Sequence, residues 1–163
     1  MQTNARLVDE FSQGVRALKK SDYLKGVFYF RVALNKHRQS NTAAAKCMAY
    51  FGLCEVLGGL GKKITHIEEA HQLNPLDTNI LRVLAYAHFS LGNRQQGLAA
   101  IILGLKIEPD NPELFLFLEQ VGYRQKNIIN SLERSNRINH FFGRMFRKTR
   151  KSIDVLSVLP AAA

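Results

Sequence analysis

Thr78–Asn111 reads TNILRVLAYAHFSLGNRQQGLAAIILGLKIEPDN. Two apolar runs at helical spacing flank Leu91-Gly92-Asn93. In the first, predicted over Asn79–Leu91, Leu81, Leu84, Ala85 and His88 share one face of a helix. In the second, predicted over about Arg94–Ile107, Leu98, Ile101, Ile102 and Leu105 turn inward. Gly92 suits a left-handed C-cap because it has no Cβ to clash there. Glu108-Pro109-Asp110-Asn111-Pro112 then makes a turn, and Pro112 can open a further helix at its first position.

Working outward, Pro75 and Pro109 each close an apolar helical stretch, EEAHQLNP at 68–75 and LGLKIEP at 103–109. Their spacing equals the period of a stack of helix–turn–helix units, about 34 residues. The unit before, about 44–77, has Gly52 at a small-residue site, followed by Leu53, Cys54 and Leu57. Its turn is Gly58-Gly59-Leu60-Gly61, and its second helix, with Ile64, Ile67, Ala70 and Leu73, leads to Asn74-Pro75. The first unit, about 7–40, has Gly14 at the same small site, a turn at Ser21-Asp22-Tyr23, and Gly26, Phe30, Ala33 and Leu34 in its second helix. The step from Gly14 to Gly52 is longer than one such period, which predicts a longer connection over 38–43. ELFLFLEQV at 113–121 begins a partial fourth unit, 112–123, stopped by Gly122.

Over 7–121 the chain resembles the tetratricopeptide-repeat (TPR) family, with 78–111 carrying most of the likeness. The pattern is degenerate: the chain has no tryptophan, His88 and Ile101 stand at aromatic sites, and Gly97 and Gly104 stand where the family places alanine. The resemblance implies an all-α, right-handed α-solenoid of about three TPR units plus C-terminal capping helices. Residues 1–123 would form the solenoid, 124–152 a basic amphipathic extension or cap, and 153–163 a flexible tail. Such an array presents a long curved surface to another chain. Carried onto this sequence, the family's groove-facing sites fall on Phe11, Val15 and Leu18 in the first unit. They fall on Lys46, Ala49 and Leu53 in the second, and on Asn79, Arg82, Tyr86 and Phe89 in the third. An apolar trough with Lys46 and Arg82 suits a short amphipathic segment bearing a carboxylate. Val15, Leu53 and Tyr86 occupy the deep sites where clamps for acidic tails use asparagine, which argues against chaperone-tail binding.

The formal charge is +10, and its distribution is uneven. Between Arg124 and Lys151 nine bases face one acid, Glu133, whereas residues 1–123 hold 14 bases and 11 acids. An electrostatic partner is therefore expected at the C-terminal quarter. There, Ile138, Phe141, Phe142, Met145 and Phe146 fall within an arc of about 140° on a helix. Arg137, Arg144, Arg147, Lys148 and Lys151 lie on the rest, forming the candidate anionic surface. The readings are a capping helix, docking on an anionic membrane and weak, salt-sensitive nucleic-acid contact.

Motifs for chemistry are lacking. His66 and His71 stand at i and i+5, which rotates the second ring about 140° from the first, so they do not match an i, i+4 metal pair. Glu68 is a local partner for His71. Cys47 and Cys54, two helical turns apart in one predicted helix, are too distant to bridge and read as buried thiols. No enzyme activity, cofactor or metal is predicted. MQTNARLVDEFSQG at the start lacks the apolar core of a signal peptide, and no run reaches the length of a membrane span, so a cytoplasmic protein is expected. The leading function is a non-catalytic adaptor or scaffold that holds a peptide or helix of a partner protein. The alternatives are a bacterial secretion-type chaperone of the TPR class, whose usual acidity this basic chain lacks, and a membrane or nucleic-acid tether through the C-terminal helix.

Overall fold

The computed structural model describes residues 3–121 except Arg38, Lys62 and Lys63, with side chains from Glu10 onward. Seven α-helices and no strand occur among the described residues, so the fold is all-α. They are α1 (Thr3–Lys19), α2 (Tyr23–Lys36), α3 (Asn41–Leu57), α4 (Thr65–Leu73), α5 (Thr78–Ser90), α6 (Arg94–Ile107) and α7 (Pro112–Gln120).

Side chains at the helix starts explain several of the boundaries. The Asp22 carboxylate accepts from the Lys25 N–H. Asp77 accepts from Asn79 and Ile80, and Asn111 from Glu113 and Leu114. Each satisfies donors that the first helical turn leaves without a partner. Pro112 sits in the first turn of α7, where its missing N–H removes no helical bond. Gly92 ends α5 in the left-handed region at φ 80°. Ser21 adopts φ 57° in the tight turn between α1 and α2, a conformation unusual outside glycine.

Consecutive helices pack antiparallel. A Cβ on Gly14 would lie 2.7 Å from the Phe30 ring, and one on Gly52 would lie 2.9 Å from Ile67 Cγ1. These glycines let α1 close on α2 and α3 close on α4. Alternate helices also touch. The Phe11 ring of α1 meets Tyr50 of α3 at 5.2 Å, α3 packs on α5, and Phe89 of α5 meets Phe117 of α7 at 5.6 Å. The odd-numbered helices thus form one row, and one core runs from Val15 to Val121.

One expectation needs correction. The connection into α3 occupies only 37–40, and α3 begins at Asn41. One repeat period later, that start corresponds to Pro75, about one turn before α5 begins, so the extra residues lengthen a helix rather than a loop. Leu73, the last residue of α4, is exposed. Both cysteines are free and buried, as expected.

Candidate binding surface on the odd-numbered helices

The ten residues expected along the groove divide into two groups. Phe11, Lys46, Asn79, Tyr86 and Phe89 are partly exposed. Val15, Leu18, Ala49 and Leu53 are closed into the core, which corrects their assignment to an open trough. Their burial has a simple cause. Ala45 and Ala49 are small enough for α3 to draw close to its neighbours, and Val15 and Leu18 fill the space beside Phe30 and Tyr50. Arg82 is also buried, at 4% exposure.

Arg82 organises the polar part of the surface. Its Nη2 donates to Asn79 Oδ1 at 2.9 Å, and its Nη1 pairs with the Glu113 carboxylate of α7. A guanidinium is costly to bury unless charge and hydrogen bonds compensate, and these two partners supply both. Beneath it lies Tyr50, fully buried, whose hydroxyl has no hydrogen-bond partner of good geometry. Burial pushes the Tyr50 phenol up to about 12, with the Arg82 charge opposing that rise.

The apolar part flanks this node. The Phe11 ring stands edge-on to Phe30 at 5.4 Å and to Tyr50, and the Lys46 ammonium lies 5.4 Å from its centroid. That distance is within reach of a cation–π attraction. On the far side Tyr86 and Phe89 lean on Phe117. The result is a row of partly exposed aromatic rings with a cation at one end and, in the middle, a buried guanidinium paired with a solvent-facing carboxylate.

Sequence reading missed Tyr50 and Glu113, although both left a signal. Tyr50 stands at i+4 from Lys46, hence on the same helical face. Glu113 stands one repeat period after Asn79, at the equivalent position of the next unit.

His66 also departs from expectation. Its Nδ1 lies 2.8 Å from Glu55 Oε2, while among the described residues the buried Nδ1 of His71 has no hydrogen-bond partner and no ion pair joins His71 to Glu68. Among the described residues no group of acids, histidines and cysteines could hold a metal ion. None of their helices is long and apolar enough to cross a membrane. Arg137, Arg144, Arg147, Lys148 and Lys151 lie outside the described residues. Compared with protein-family models, curated proteins and solved structures, the chain matches none.

Proposed function

We propose that this chain is a non-catalytic interaction module of the TPR type, a short solenoid that holds a peptide or helical segment of a partner protein along its odd-numbered helices. The observation that carries this reading is the row of half-exposed Phe11, Lys46, Tyr86 and Phe89 around the Arg82–Glu113 pair. Aromatic rings beside fixed polar groups are the usual composition of a protein-binding surface. A partner segment would lay apolar side chains on the rings and direct a carboxylate to Lys46. The buried residues, Val15, Leu18, Ala49 and Leu53, hold this surface in shape from below.

A photocrosslinking amino acid placed at Lys46, at Tyr86 or at exposed Leu103 of α6 tests the reading in the native cell. Adducts from positions 46 and 86, and none from 103, are expected. Adding Lys46→Glu and Tyr86→Ala to a protein with the crosslinker at Phe11 should abolish its adduct while the melting temperature holds. Equal adducts from position 103, or an adduct at 11 indifferent to the double change, would overturn the reading. Arg82 is left intact because its loss would strand Glu113 and disturb the packing of α5 on α7.

A further inference from the structure

Because consecutive helices alternate in direction, the turns α1–α2, α3–α4 and α5–α6 share one edge of the molecule. Contacts along it confirm the placement. A Cβ on Gly58, at the end of α3, would lie 2.9 Å from Tyr23 Cβ at the start of α2. Arg94, at the start of α6, donates to the Val121 carbonyl at 2.8 Å.

This edge combines two properties that water does not favour together. Leu24 is 69% exposed, Phe28 62% and Leu60 51%. Arg16 and Lys19 in the last turn of α1, Lys20 after it and Lys25 in the first turn of α2 are all exposed. The acids nearby are Asp22, in a 2.8 Å ion pair with Lys25, and Glu55, whose carboxylate lies 2.8 Å from His66 Nδ1. Arg16, Lys19 and Lys20 form no ion pair among the described residues. The opposite edge, by contrast, carries Asp77, Glu108 and Asp110 in its connections and Glu113 in the first turn of α7.

We infer that the edge formed by the α1–α2 and α3–α4 turns docks on an anionic phospholipid surface, with Leu24, Phe28 and Leu60 entering the interface and Arg16, Lys19 and Lys20 meeting the headgroups. Three arguments select this occupant. Leu24 and Phe28 lie one helical turn apart, about 6 Å along the axis, which matches the roughly 5–10 Å depth of interfacial insertion. A lipid surface needs no complementary cleft, and Leu60 stands in a turn with Leu24 in the first turn of α2 and Phe28 one turn further along; Gly59, beside Leu60, has no atom within 4 Å of its would-be Cβ. A second copy of the chain would set the same lysines against themselves across a two-fold contact, and a phosphate backbone would leave the three apolar side chains in water. This surface is separate from the partner-binding row.

The chain has no tryptophan, so single substitutions report on their own surroundings. Full-length Leu24→Trp, Leu60→Trp and Leu76→Trp proteins are titrated with phosphatidylcholine vesicles with and without phosphatidylglycerol. Leu76 is 69% exposed in the α4–α5 connection on the opposite edge. The Leu24→Trp and Leu60→Trp emissions should move to the blue with anionic vesicles only, and the Leu76→Trp emission should stay. Each base near an anionic leaflet strengthens binding roughly fivefold, so adding Lys19→Glu and Lys20→Glu should weaken the Leu60→Trp response by about 25-fold or more. No shift at Leu24→Trp and Leu60→Trp while the protein still sediments with anionic vesicles would place the contact elsewhere and overturn the inference. A shift produced by an oligonucleotide and not by vesicles would overturn it in favour of nucleic acid.

Discussion

The helices α2 and α3 are neighbours of similar apolar content, and they live in different solvents. Ten of the 17 residues of α3 are buried, around its whole circumference. Only Gly26, Phe30 and Ala33 are buried among the 14 of α2. The cause is the number of neighbours: α3 packs on α2, α4 and α5 and meets the Phe11 ring of α1, whereas α2 packs on α1 and α3. A helix apolar all round belongs in a core. An apolar residue beyond the covered stripe, such as Phe28, is left for some other surface. The lesson is that apolarity in this chain has two uses, cohesion where a helix is enclosed and contact where it is not.

That contrast breaks if the inner face of α2 is energetically idle. Phe30 is fully buried, packed on Phe11, Tyr50 and Gly14. Phe30→Ala should cost about 3–5 kcal/mol and lower the melting temperature by about 10 °C or more. A shift of a degree or two in a circular-dichroism melt would show that α2 is not anchored through this ring. Gly52→Leu on α3 comes next. Even its Cβ would lie 3.0 Å from His66 Cβ and 3.3 Å from the Ile67 backbone nitrogen, and backbone does not yield as a side-chain tip does. Overpacking of this kind costs about 1–3 kcal/mol. Unchanged stability in urea would refute the close contact of α3 with α4.

The all-helical class was legible in the sequence because apolar spacing and turn residues agreed. The predicted second helix of 78–111 ends where α6 ends, and Gly92 takes the positive φ its position required. The candidate surface was legible only in part. Phe11, Tyr86 and Phe89 are open to solvent as expected, but periodicity names the face of a helix and not how far a neighbour covers it. Val15 and Leu18 share a stripe with Phe11, yet they disappear under α2 and α3 while Phe11 stays at the rim. The Arg82–Glu113 pair joins α5 to α7 across the whole of α6, a long-range contact that no local pattern states.

A milder effect should appear at alkaline pH, and α3 should be its source. Burial pushes the Cys47 thiol up to about 11 and Cys54 to about 12, from an ordinary value of 9.0. Well below pH 9 both thiols keep their protons, folded or unfolded, and contribute no pH dependence. Above it the unfolded chain releases protons that the folded chain retains, so stability declines from pH 9 toward 11 and 12. Melting temperatures across that range should fall, and the slope should flatten when both cysteines are replaced by alanine. A slope unaltered in that variant would mean that the thiols are already accessible in the folded protein, and the enclosure of α3 would be less complete than described.

The smallest effect on stability is expected on the outer face of α2, and it completes the comparison. Leu24 and Phe28 bury little, and the main ring contact of Phe28 is with its neighbour Tyr29 at 5.5 Å. Replacing both by serine removes almost no area from the core, and exposed substitutions of this kind usually change stability by less than about 0.5 kcal/mol each. Serine at Leu24 falls in the first turn of α2, where helix propensity matters least, while at Phe28 the helix interior loses little because serine and phenylalanine have similar propensities. The melting temperature should therefore stay within a few degrees of the parent. Binding to anionic vesicles, measured on the same protein, should drop sharply. A large loss of stability would show that these side chains are covered and cohesive, placing α2 beside α3 rather than opposite it. Unchanged stability with unchanged vesicle binding would leave the contrast in burial intact while removing lipid as the surface that the outer face of α2 serves.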